Sequence, residues 1–230
     1  MKNILVVGGS TGIGQSLVGD LCSEYNVYST YNKNIQSDFT NVTYQKFDVM
    51  HDSIEDLPLP DVIDGLVYCP GSIVLKPFHR ISEEEIIDDL RLNVTGFLKI
   101  LKAIRKNLMK SEQASIVLFS SVAANSGFPF HTQVAISKGA IESLTRTLAA
   151  ELSPKMRVNA IAPSLTKTPL SSSLLNSEAK IDINAQRHPL QAIGDVSDIS
   201  KFAKHLISSD SKWITGQIFT IDGGISSIRK

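Results

Sequence analysis

Cysteine is scarce in this chain: 230 residues carry two, Cys22 and Cys69. That is too few for a disulfide framework, and their spacing matches no metal-ligand motif, so both read as reduced thiols and no metal site is expected. An excess of charge of one sign is also missing. Lys and Arg number 23 against 23 Asp and Glu, and no run of like charge is longer than Glu83-Glu84-Glu85. The balance argues against a nucleic-acid stripe or a polybasic membrane patch. No stretch approaches the roughly 20 apolar residues that a membrane span needs. The run Ile4-Leu5-Val6-Val7 is too short for a signal-peptide core and leads straight into glycines. A cytoplasmic protein with no nucleic-acid or membrane partner is the expectation.

What the chain does have is a steady alternation of short β-rich apolar runs with helical patterns. Strands are predicted at residues 3–7, 26–30, 42–47, 65–68, 115–119, 157–161 and 217–221, and the longest helices at 82–110 and 132–152. Nearly continuous apolar strands suit a parallel sheet covered on both faces. The pattern predicts one α/β domain over residues 1–230, doubly wound and Rossmann-type, with a sheet of about seven strands. Residues 169–196 break the rhythm, being rich in serine, with Leu174-Leu175 and a His188-Pro189 step. A substrate-side lid is the preferred reading of that insertion.

The first predicted strand runs into Gly8-Gly9-Ser10-Thr11-Gly12-Ile13-Gly14, and a helix is expected from near Gln15. Glycines there let the backbone turn sharply and approach a pyrophosphate, while a helix N-terminus supplies free N–H groups. Such a loop can also be a plain turn, but its place between first strand and first helix points to a dinucleotide. After the second strand, Tyr31-Asn32-Lys33-Asn34 offers no carboxylate for the ribose hydroxyls before Asp38. Lys33 could be an ordinary solvated lysine, yet the stretch favours NADP(H), with NAD(H) the alternative.

Taken together, these and further motifs resemble the short-chain dehydrogenase/reductase family, particularly its 3-oxoacyl-carrier-protein reductases. Gly8, Gly12, Ile13 and Gly14 match the family's glycine motif, and Asp48-Val49 its adenine-facing pair. Leu92-Asn93-Val94 matches the segment of the active-site asparagine, and Ser120-Ser121-Val122 that of the catalytic serine, with Ser121 the better aligned. The segment from Arg157 to Pro163-Ser164 normally ends Pro-Gly, and Thr168 stands where the nicotinamide carboxamide is held. The resemblance implies cofactor contacts from Gly8, Ser10, Thr11, Gly12, Ile13, Gly14, Asn32, Lys33, Asp48, Val49, Gly71, Lys138, Pro163 and Thr168. It also implies a homodimer or homotetramer paired through the helices at 82–110 and 132–152.

Two departures stand out. Tyr68-Cys69-Pro70-Gly71 replaces the family's Asn-Asn-Ala-Gly, and Val134 stands where its Tyr-x-x-x-Lys motif has tyrosine, ahead of Lys138. The resemblance makes that tyrosine the proton donor to a carbonyl oxygen, which valine cannot be. Asn93, Ser121 and Lys138 remain, and His131, three residues before Val134, is the candidate replacement acid. Its plainer reading is a capping or surface histidine. The expected activity is oxidoreduction of a ketone, 3-oxoacyl group or secondary alcohol, possible acyl-carrier-linked substrates included. The alternatives are a dinucleotide-binding sensor or partner subunit without hydride chemistry, and a chain disabled by an introduced valine. Phe128-Pro129-Phe130 and Leu174-Leu175 would form an apolar wall in the first case.

Overall fold

The computed structural model describes residues 1–33 and 39–229, so Asn34 and Asp38 lie outside the described residues. Seven strands form one parallel sheet: β1 Asn3–Val7, β2 Asn26–Tyr31, β3 Val42–Lys46, β4 Gly65–Tyr68, β5 Ala114–Phe119, β6 Met156–Pro163 and β7 Ile218–Ile221. Their order is β3-β2-β1-β4-β5-β6-β7. The helices are α1 Gly12–Leu21, α2 Glu83–Leu90, α3 Gly96–Met109, α4 Thr132–Leu152, α5 Glu178–Gln186 and α6 Val196–Ile207. The single Rossmann-type domain expected from the alternation is the fold observed. No described helix is long and apolar enough to cross a membrane.

Alternation along the central strands β1, β4 and β5 sends apolar residues to both faces of the sheet. Leu5, Val7, Leu66, Ile116 and Leu118 join α3 and α4 residues such as Phe97, Ile100, Ile104 and Ile141 in one core. Ile4, Val6, Val67, Val117 and Ile161 point the other way, onto Leu17, Val18 and Leu21 of α1 and Ile199, Ala203 and Leu206 of α6. Both faces of the sheet are therefore desolvated, which an all-parallel sheet requires.

Arg157 is an exception within this core, on β6 and only 4% exposed. Its guanidinium donates to Ser211 Oγ and to the carbonyls of Leu206, Ser208 and Ile214, sewing β6 to the end of α6. Arg157→Ala should destabilise the fold by about 3 kcal/mol in urea unfolding, because a cavity opens and those acceptors lose their donor.

Two local expectations differ from the structure. Helix α1 starts at Gly12, not near Gln15, because Gln15 N–H already bonds the carbonyl of Thr11 at 3.2 Å and closes a first turn over the glycines. The helix at 82–110 is α2 and α3 joined by a π turn over Arg91–Thr95. Residues 169–196 hold a 3-10 turn at Pro169–Leu174 and helix α5, tied back by a Thr166–Gly194 bridge.

The candidate active site

Strand order reverses between β1 and β4, and in open α/β sheets ligands bind outside the carboxyl ends of the strands at such a point. A cleft of about 1090 Å³ lies there. Its walls include Gly8, Ser10, Thr11, Gly12, Ile13 and Gly14 at one end and Ser121, His131, Val134 and Lys138 at the other. Asn32, Lys33, Asp48, Val49, Gly71, Pro163 and Thr168 also line it. Of the residues singled out from the sequence, Asn93 stands behind the wall, and it reaches the cleft through Lys138.

The glycine end is built to bring backbone close to a ligand. Gly8 sits at φ +77°, and a Cβ on Gly14 would fall 2.3 Å from the Gly8 carbonyl oxygen, so any side chain there would unseat the turn. Thr11 and the first residues of α1 line that end of the cleft, and the free N–H groups of a helix N-terminus suit a pyrophosphate. At the rim, Asn32 Nδ2 donates to Asp48 Oδ2 at 3.1 Å, joining two of the predicted adenosine-side residues. Lys33 is exposed beside them. These groups fit a dinucleotide phosphate end without alteration.

At the other end Lys138 is buried, and its ammonium donates to Asn93 Oδ1 at 2.7 Å and to the Phe119 carbonyl at 3.1 Å. Burial pushes its pKa down to about 8, with the Asp89 carboxylate pulling the other way. The neighbouring Cys69 thiol is pushed up to about 12 by its own burial, against the pull of Lys138, so it stays protonated and is a poor nucleophile.

The two serines after β5 divide their work. Ser120 is buried and donates to Glu142 Oε1 at 2.9 Å. Ser121 lines the cleft, and its oxygen accepts from Ala123 N–H at 3.2 Å, which leaves the hydroxyl proton for a substrate oxygen. Both serines line the cleft, and Ser121, the better match to the family's serine segment, is the one whose hydroxyl proton is uncommitted.

His131 occupies the N-cap position of α4 but makes no side-chain cap bond. Instead Nδ1–H donates to the Pro129 carbonyl at 2.8 Å, and the ring lies 5.5 Å from that of Phe128. A carbonyl can only accept, so the proton on Nδ1 is fixed and Nε2 is the nitrogen left to exchange one. Val134, one turn on, is buried in the cleft wall at 4% exposure. Of the expected apolar wall, Phe128 and Leu174 line the cleft, while Phe130, held at φ +69°, turns its ring to solvent.

One polar pair in the wall was not anticipated. His188, buried below α5, places Nε2 2.8 Å from Ser164 Oγ, and its Nδ1–H donates to the Asn184 carbonyl. Arg187 beside it stacks on Phe128 at 5.8 Å, so the predicted lid meets the His131 segment. The only sequence signals were the His-Pro step and a serine where the resemblance expects glycine.

Comparison with known proteins accords with this geometry. The family model described as enoyl-(acyl carrier protein) reductase matches residues 31–226. An inactive 2-(S)-hydroxypropyl-CoM dehydrogenase 2 of Xanthobacter autotrophicus is 32% identical over 171 residues, 72% of this chain and 74% of that one. A 3-oxoacyl-[acyl-carrier-protein] reductase FabG of Buchnera aphidicola is 30% identical, over 71% of this chain and 66% of its own length. Among solved structures, a short-chain dehydrogenase family protein of Francisella tularensis superposes with TM-score 0.89 at 27% identity, covering 99% of this chain and 100% of its own. ElxO with NADP bound gives TM-score 0.87 at 26% identity over 99% of both chains, and the same holds for a tyrosine-to-phenylalanine variant with NADPH bound. With the glycine turn, the serine and the lysine on one cleft and the asparagine behind the lysine, the chain belongs to the short-chain dehydrogenase/reductase family, whose members are NAD(P)-dependent oxidoreductases.

Proposed function

We propose that this protein binds NADP(H) in the cleft and reduces a ketone or 3-oxoacyl carbonyl, or oxidises the matching secondary alcohol. One observation carries the reading: Ser121, His131 and Lys138 share a cleft wall with the glycine turn, and Asn93 grips Lys138 from behind. When bound, the nicotinamide supplies the hydride. Lys138 hydrogen-bonds the cofactor ribose with the N–H that Asn93 and Phe119 leave free. Ser121 donates to the substrate oxygen and fixes where charge develops. His131 Nε2 delivers the proton that Val134 cannot. The FabG relative supports a 3-oxoacyl substrate class. Residues 169–196 act as the substrate-side lid, and the molecule works as a cytoplasmic homodimer or homotetramer.

NADP(H) is preferred over NAD(H) because Asn32 and Lys33 stand at the rim where the adenosine ribose would lie. A 2′-phosphate there gains a charge-assisted bond that NAD(H) lacks. Lys33→Glu should weaken NADPH binding about tenfold and leave NADH within about twofold, read by nucleotide fluorescence at low salt.

A second reading, a cofactor-binding protein without hydride chemistry, is favoured by Val134 itself and by the relative named as inactive. NADPH oxidation against a panel of 3-oxoacyl and simple ketone substrates separates the two. Turnover by the unaltered chain supports the oxidoreductase. Tight NADPH binding with turnover appearing only in Val134→Tyr supports the second reading.

A further inference from the structure

Asp89 is a buried acid that the proposed chemistry does not use. It lies near the end of α2, one turn before Asn93 in the following π turn, and is 5% exposed. Its Oδ1 accepts from the Ser72 hydroxyl and from Asn93 Nδ2, while Oδ2 has no hydrogen-bond partner among the described residues. A carboxylate in that position is costly, and an apolar side chain of the same volume would pack there with no such penalty. Its charge therefore needs a use.

The hydrogen-bond directions supply one. Asn93 Nδ2 donates to the Asp89 carboxylate at 3.0 Å and to the Asp89 main-chain carbonyl at 2.9 Å. Both are pure acceptors, so the amide nitrogen must face α2 and the amide oxygen must face Lys138. Flipped, Asn93 would present N–H groups to an ammonium. The polar chain thus runs Ser72–Asp89–Asn93–Lys138, and its two ends, Ser72 and Lys138, are the members that line the cleft. The π turn sets Asn93 in register between α2 and α4, a use such turns often have at functional sites.

We propose that Asp89 is a positioning residue, whose carboxylate fixes the sense of the Asn93 amide and keeps Lys138 a cation aimed into the cleft. This rests on the reading of Lys138 as the cofactor-binding cation. Among the described residues, the groups facing Lys138 leave no other source of negative charge. Asn93 from the π turn and the Phe119 carbonyl at the end of β5 are neutral. Cys69 at the end of β4 stays a thiol. On α4 itself Val134 is apolar, and Glu142 is turned to Ser120 and Asn125.

The test is an NMR titration of lysine ε-carbons labelled with ¹³C, with the Lys138 signal assigned by its loss in Lys138→Met. In the wild type the midpoint should fall near 8. A neutral residue at 89 removes what favours the charged form, so Asp89→Asn should lower the midpoint by about one pH unit or more. A merely structural role would change stability and leave that midpoint in place. If Asp89→Asn does not fold, Asp89→Ser removes the same charge with a smaller side chain, and the same fall is expected. An unmoved midpoint in the folded variant overturns the proposal.

NADPH affinity measured over the same pH range separates the two claims. It should weaken as pH rises through the midpoint, earlier in the variant than in the wild type. A midpoint that falls while NADPH affinity ignores it leaves the link from Asp89 to Lys138 standing and removes Lys138 from cofactor binding.

Discussion

His131→Ala is expected to cut NADPH-dependent carbonyl turnover by about 10²- to 10⁴-fold, the usual loss for a positioned proton donor. The imidazole is held on two sides, by its Nδ1–H bond to Pro129 and by Phe128 packed against the ring. That restraint is what distinguishes it from a loose surface histidine, because the exchanging nitrogen is fixed as Nε2 on the cleft wall. Alanine removes the ring without touching the glycine turn, Lys138 or Lys33, so NADPH should bind within about twofold of its wild-type affinity. Steady-state rates with a 3-oxoacyl or ketone substrate, beside a fluorescence titration, read both quantities. Unchanged turnover would remove His131 from the reaction.

Val134→Tyr is expected to raise turnover by about tenfold or more, at least 1.4 kcal/mol of barrier, and to end the dependence on His131. Residues 134 and 138 lie one helical turn apart on the same face of α4, and both line the cleft. A phenol at 134 would extend into open cleft and not into core, with the Lys138 ammonium near enough to favour its ionised form. Its proton would then have a shorter path to the substrate than one from the start of the helix. In the double variant His131→Ala/Val134→Tyr, turnover should stay within about threefold of Val134→Tyr alone, since two groups serving one proton do not add. A folded, NADPH-binding Val134→Tyr chain no faster than wild type would show that the missing hydroxyl is not what limits this protein.

How much of this was legible beforehand varies with the physics of each feature. Strand positions followed from runs such as Ile4-Leu5-Val6-Val7, because a sheet buried on both faces leaves apolar residues without gaps. The cleft end of Lys138 followed from its spacing to Val134, since one helical turn is a fixed geometric quantity. Asp89 was hidden by its neighbours. It sits in a strongly acidic stretch, Glu83-Glu84-Glu85 and then Asp88, that reads as a solvated face. Only the turn of α2 against α4 buries it, and Asp88 beside it stays exposed in a pair with Arg91. His188 was hidden for another reason: its partner Ser164 is 24 residues away across the lid, and the sequence of α5 has no apolar periodicity to place it. Phe130 was misjudged because apolar character alone does not say which way a turn residue faces.

The central claim is that the cleft at the β1–β4 reversal holds NADP(H), and the most direct measurement is a fluorescence titration of the purified, unaltered protein with NADPH and NADH. Saturable binding of NADPH at about micromolar concentration is expected, with weaker binding of NADH and loss of the NADPH preference in Lys33→Glu. Absence of binding by either nucleotide, or tighter binding of NADH, would contradict it.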